Sequence, residues 1–171
     1  KTRYYVYGFR GIIKIFLYTI HTFVFFRSSR LIRYPISVRG KKFISFGKNL
    51  TTGIGCRIEA FPFFKMENII HFGKNIEIND YVHIAGVEKV SIGNNVLIAS
   101  KVYISDIQHG TYSGDQIHDN PNSIPKDRIL SSKPVIIEDN VWIGENVSIM
   151  AGVKIGKGSI IGANSVVTKN I

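Results

Sequence analysis

Five histidines, one cysteine and a scatter of carboxylates are the groups that this chain of 171 residues offers to chemistry. His109 stands apart among them, because it closes the segment ISDIQHG and is followed by GTYSGDQIHDNPNSIPKDRILSSKP, rich in Gly, Ser, Asp, Asn and Pro. A loop as long as 110–136 inside a compact domain is usually functional. An imidazole at the root of such a loop is partly exposed, titrates near neutral pH and can act as a base. Asp106, three residues earlier, either orients that ring or is a solvated bend residue. The single cysteine, Cys56, excludes an internal disulfide and occupies a place where other repeats carry Val, so it reads as a small core residue. Neither a CxxC nor an HExxH pattern occurs, which fits a reducing compartment and no metal site of those kinds.

The residues that must hold His109 in place follow a six-residue rhythm. An aliphatic residue returns at Ile137, Ile143, Ile149, Ile155, Ile161 and Val167, usually followed by a small residue. Neither a helical period of 3.6 nor a strand alternation of 2 produces this spacing. Earlier hexads start at Phe46, Thr52 and Ile58, at Phe72, Ile78 and Ile84, and at Ile92, Ile98 and Ile104. Every interruption falls after a third hexad, with 8, 2 and 27 residues inserted. Three hexads therefore make one triangular coil, and all insertions leave from one corner. The expected fold class is all-β, a parallel β-helix of about five 18-residue coils over 46–63, 72–89, 92–109, 137–154 and 155–171, with the aliphatic positions stacked inside. His109 ends the third of these coils, where the excursion 110–136 departs.

Residues 1–45 form a separate N-terminal segment. Charge is unevenly divided: residues 1–58 hold 12 Lys or Arg and no acid, whereas 59–171 hold 10 basic and 12 acidic residues, for a net +10. Between Tyr4 and Phe26 the chain is aromatic and aliphatic. Its longest stretch without Lys or Arg, Ile15 to Phe26, has 12 residues, short of the roughly 20 that a spanning helix needs. No small-residue cleavage site follows, so a secretory signal is not indicated. Two readings of residues 1–33 stand: a helix lying on the membrane surface with its cations at anionic headgroups, or one packed on the β-helix or a neighbouring subunit. The cations accompany aliphatic bulk and no base-stacking platform, which argues against nucleic acid.

The strings INDYVHIA, LIASKV, SD..HG and VWIGENV, set within IGNNVLIASKVYISDIQHG and PVIIEDNVWIGENVSIMAGVKIGKGSIIGANSVVTKNI, resemble the hexapeptide-repeat acyltransferases. Within that superfamily they are most similar to the bacterial lipopolysaccharide or O-antigen O-acetyltransferases, over nearly the whole chain. The resemblance implies a left-handed β-helix, a homotrimer with active sites between subunits, acetyl-CoA as acyl donor and a carbohydrate acceptor. It makes His109 the general base and places Asn79 at the acceptor, with His83 of the same hexad and Asp106 as further candidates. Gly144, Ala163, Thr168 and Lys169 map to the cofactor contacts, and Trp142, expected at a coil corner, flanks them. Glu145 departs from the small hydroxyl residue usual there, and the chain stops at Ile171 before the customary Pro-containing cap, so further C-terminal residues are expected. The expected location is cytoplasmic, either free or, if residues 1–33 lie on the membrane surface, peripheral on the inner face of the plasma membrane. Two other functions compete: a γ-type carbonic anhydrase, which needs three converging histidines, and a trimeric scaffold without catalysis.

Overall fold

The structure, a computed structural model, describes residues 2–63, 67–111 and 118–171. A helix, α1 (Thr2–Phe25), is followed by short parallel strands wound into a triangular prism. The first face stacks six strands, the second six and the third five, each strand pairing in register with those one coil before and after. Leu31–Ile32 opens the first face, Ile36–Arg39 the second and Ile44–Ser45 the third. The prism thus starts at Leu31 and not at Phe46, two sides earlier than the hexads indicate. Its first coil is hard to read because its core contacts come from Ile32, Val38 and Phe46, with Pro35 and a short 3-10 turn (Lys41–Phe43) disturbing the rhythm.

Why six residues make one side follows from the local chemistry. Two of the six, such as Val96 and Ile98 or Val147 and Ile149, point inward and are almost wholly buried. Fully burying each such side chain is worth roughly 1.5–3 kcal/mol. The bend just before each pair requires a residue in the left-handed backbone region, which asparagine tolerates. Asn49, Asn75, Asn95 and Asn140 occupy successive bends at φ between 56° and 62°. Their side-chain amides also bond one another from coil to coil at 2.9–3.1 Å. On the same edge Gly73 lies so close to the next coil that a Cβ would sit 2.7 Å from the backbone of Gly93. Any larger residue there would force the coils apart.

All the insertions leave from one corner, between the second and third faces, as the hexad count implies: between Ala60 and Ile70, Gly86 and Val90, and Ser105 and Val135. At the last of these the boundary differs from expectation. The coil ends at Ser105, and Ile107–His109 already belongs to an antiparallel pair with Leu130–Ser132 that projects as an arm. His109 is therefore two residues out along the arm from its root at Ile107, not the last residue of a coil. Of the expected excursion 110–136, residues 112–117 lie outside the described residues; Val135–Ile137 is back in the third face.

Two carboxylates interrupt the apolar interior. Asp106 is wholly buried at the insertion corner and accepts from the backbone N–H groups of Val87 at 2.9 Å, Glu88 at 2.8 Å and Lys89 at 2.6 Å, so it pins the preceding coil. Burial pushes its carboxyl above the ordinary range, more than those three donors pull it back. Glu59, 3% exposed, faces Arg57 at 2.8 Å, His83 at 3.0 Å and Arg39 at 3.2 Å. Burial alone would raise its carboxyl; the hydrogen bonds from His83 and Arg57 and the two guanidinium charges outweigh it and hold the group below its usual value.

Two predictions follow from these acids. Asp106→Ala strands three amides at once and should cost roughly 2–4 kcal/mol, read from urea unfolding, with Asp106→Asn losing about half as much. A loss within about 0.5 kcal/mol would mean that water replaces the carboxylate. For Glu59 the sign is set by its depressed pKa: its charge stabilises the fold above 4.5, and that contribution is lost as pH falls through the lower folded value. Asp106 acts oppositely, favouring the fold below 3.8 and losing that contribution as pH rises through its raised value. Glu59→Gln should therefore lower stability at neutral pH by roughly 1–3 kcal/mol and lose little further below pH ~4. A variant whose unfolding midpoint falls as steeply with acid as the parent's would contradict this.

Candidate active site

The arm carries His109 away from the interior. Its side chain is exposed, with the chain on one side tied by Gly110 N–H to the carbonyl of Ile129 at 3.0 Å and the Ser131 hydroxyl donating to the carbonyl of Gly110 at 2.8 Å. The main chain around the imidazole is thus fixed while the ring faces outward. Asp106 does not orient it. Its oxygens are engaged by the amides of the previous coil, and no hydrogen bond joins the two side chains among the described residues. The reason is the turn at Asp106 itself, which leads the arm out of the prism while the carboxylate points back into the corner.

Thr168 and Lys169 follow the last second-face strand, Val166–Val167, at this same insertion corner, two coils beyond the arm. That is about 10 Å along the prism. Both are exposed. Lys169 offers a point charge suited to a phosphate, and the imidazole and this cation accordingly lie along one edge.

The remaining candidates gather at the corner between the first and second faces. Asn79 follows Glu77–Ile78 there and is exposed; Gly144 and Ala163 follow the first-face strands Trp142–Ile143 and Ile160–Ile161. Gly144 is buried and can offer no side chain to a ligand. A Cβ on it would lie 2.6 Å from the Ala163 nitrogen, so its smallness lets the last coil close down and leaves Ala163 at the surface. Trp142 stands on the flat first face, in register with Leu97 and Ile160 and 49% exposed, rather than at a corner. Tyr81 was not anticipated. It holds, at φ 58°, the same left-handed bend that Gly55, Lys101 and Asn146 hold in other coils, and it is 56% exposed beside Asn79. Within one chain, then, His109 and Asn79 stand at different corners and do not meet.

His83 opens the second-face strand His83–Gly86 and lies between the two corners. It is in register with Arg57 and Tyr103, and its ring is 5.4 Å from that of Tyr103. Its bond through Nε2 to buried Glu59 fixes the imidazole against the prism. The sequence held a clue to this cluster. In the column Arg39, Glu59, Ala85 a glutamate stands before a small residue, and it is the first acid in the chain. Among the described residues no three His, Cys, Asp or Glu side chains converge as a metal site would require.

Residues 134–169 match the family model of the bacterial transferase hexapeptide, six repeats. Over 139 residues, 81% of this chain and 69% of the relative, the sequence is 44% identical to the Escherichia coli protein WbbJ, whose name assigns it to lipopolysaccharide biosynthesis as an O-acetyl transferase. It is 38% identical to the galactoside O-acetyltransferase of the same organism over 121 residues, 71% of this chain and 55% of that one. Among solved structures, a variant of AntD, an N-acyltransferase from Bacillus cereus in complex with dTDP-4-amino-4,6-dideoxyglucose and Coenzyme A, superposes with a TM-score of 0.67 at 23% identity, covering 84% of this chain and 73% of AntD, which shows the shared fold. With coils, corners and insertions arranged as described and the relative matched along most of its length, the chain belongs to the hexapeptide-repeat acetyltransferase family.

Proposed function

We propose that this protein transfers an acetyl group from acetyl-CoA to a sugar hydroxyl of a surface polysaccharide of the O-antigen type, or of its lipid-linked precursor. It does so in the cytoplasm, where acetyl-CoA is made, at sites between the subunits of a homotrimer of left-handed β-helices. The observation that carries the reading is the position of His109: exposed, on a braced arm, along the edge that also presents Thr168 and Lys169. The acceptor class is supported by the lipopolysaccharide relative.

In this scheme His109 takes the proton of the acceptor hydroxyl while that oxygen attacks the thioester carbonyl. A backbone N–H of a neighbouring coil meets the oxyanion, the C–S bond breaks, and the imidazolium returns the proton to the CoA thiolate. A positioned base is worth roughly 100- to 10,000-fold. Asn79, whose amide both donates and accepts, holds the sugar, with the exposed ring of Tyr81 beside it. Since His109 and Asn79 occupy different corners of one prism, a second copy must bring its own Asn79 corner to the first copy's arm. His83, held by Glu59 on the face between, lines the same cleft. Ala163 and Trp142 lie along the pantetheine side, and Lys169 meets a CoA phosphate.

His109→Ala should cut kcat at least about 100-fold while leaving acetyl-CoA affinity close to that of the parent, measured by thiol release and by calorimetry. A variant keeping more than about a tenth of kcat would remove His109 from the role. Between-subunit sites make a sharper demand. His109→Ala and Asn79→Ala, each inactive alone, should regain activity when unfolded together and refolded into mixed trimers, because some clefts then pair an intact His109 with an intact Asn79. Mixtures as inactive as the separate variants would place both residues in one subunit's site. Substituting Ala163 by Trp or Lys169 by Ala should instead raise the KM for acetyl-CoA several-fold, about 1 kcal/mol of lost binding, with kcat little changed; a kcat defect at unaltered KM would move these residues away from the cofactor.

A further inference from the structure

Helix α1 turns the wrong side to water. One stripe, Ile15, Tyr18 and Thr22, recurs at helical spacing and is the side that packs on the first coil. Thr22 is buried: its hydroxyl accepts from Ile32 N–H at 2.7 Å and donates to the carbonyl of Tyr18, also at 2.7 Å. Tyr18 meets the Tyr34 ring edge-on at 4.8 Å. Lys41 ties down the helix end by donating to the Phe25 carbonyl at 2.6 Å. The opposite stripe is wider and more apolar. Phe9, Ile13, Phe16, Leu17, Ile20 and Phe23 all lie on it, exposed by between 44% and 71%. A helix that docks through Ile15, Tyr18 and Thr22 and shows a wider stripe of phenylalanine, isoleucine and leucine outward has its second partner on that outward side.

Charge decides which partner. Arg10 and Lys14 fall on one margin of the apolar stripe at helical spacing, and Arg27, Arg30, Lys41 and Lys42 surround its docked end, all of them exposed. No acid occurs before Glu59. A second copy of the same surface would bring these cations against one another, whereas an anionic headgroup layer neutralises them at the depth where the apolar stripe enters. We propose that α1 lies in the plane of an anionic lipid bilayer, its Phe9–Phe23 stripe inserted and its prism-facing stripe still docked. By length and composition Val6–Phe25 could cross a membrane, but its backbone breaks helical form at Gly8, with φ 60° and ψ 179°, and its Ile15 to Thr22 portion is held along the first coil. A surface helix satisfies both constraints and a spanning one does not. The arrangement also deepens the proposed function, on which this last point rests: the Asn79 corner lies two coils from the first, about 10 Å along the prism, within reach of a sugar carried by a lipid in the same bilayer.

The test is sedimentation of the full chain with vesicles of phosphatidylcholine alone or mixed with phosphatidylglycerol, an assay that needs no turnover and so stands whatever acceptor the site takes. Binding should require phosphatidylglycerol, weaken with salt, and fall at least about tenfold in the Phe16→Ser, Ile20→Ser double variant, whose two side chains touch nothing on the prism side. Absence of vesicle binding by the parent overturns the proposal, as does undiminished binding by the variant. A variant of smaller mass by light scattering, with unchanged vesicle binding, would assign the stripe to subunit contact instead.

Discussion

Each coil of the prism leans on the backbone of the next: amides of one rung donate to carbonyls of the rung one turn away, in register on all three faces. Because every coil pairs only with its neighbours, the position of any side chain is set by two numbers, its coil and its place within the six-residue side. The functional geometry derives from this lattice. Insertions are tolerated where the chain can leave and return without disturbing register, and they all use one corner. Asp106 shows what that tolerance needs physically, since an arm of about two dozen residues departs beside it and the corner survives only if the amides below are still satisfied. A buried carboxylate accepting from three of them does this at a cost visible in its raised pKa.

The same lattice explains which features were legible in the sequence. Aliphatic residues at every sixth place could come only from a three-sided coil, and the interruptions fixed the insertion corner without coordinates. The first two sides escaped because Ile32 and Val38 are each followed by an arginine rather than a small residue, and the short 3-10 turn sets Val38 eight residues from Phe46. The arm began earlier than expected because the hexad that starts at Ile104 was counted through to His109, whereas Ile107 already pairs with Ser132 outside the prism. Periodicity finds inward positions; it does not report a strand that continues in a new direction.

Site residues were legible to the extent that they lie on the lattice. Asn79, Ala163 and Lys169 fall on exposed corners where their hexads put them, and His109 is exposed on the arm that leaves its expected corner. Asp106 was misread because three residues of separation from His109 suggested proximity, whereas the turn between them sends the two side chains apart. The cluster of Glu59, Arg57, Arg39 and His83 went unseen because its members are distant in sequence and become neighbours only through register. A rule follows for repeats of this kind. A charged residue whose place in the next coils is held by Ala or Ser deserves a search of the adjacent coils for its counterions before it is taken as surface.

The separation of the two corners has a mechanistic consequence. A narrow prism filled by Ile and Val leaves little room for an internal pocket, and in the proposed scheme reactants are held between surfaces of different copies, each contributing one edge. Such a cleft is assembled by stacking rigid edges rather than by closing a lid, and its precision rests on the core that sets the edges. It also ties orientation to assembly. If α1 lies at a bilayer, the prism axis and its copies inherit a fixed relation to the lipid surface. The acceptor side, on the third coil, then lies nearer that surface than the Lys169 end on the last. Such a polarity suits a donor that arrives from solution and an acceptor that is delivered from the membrane.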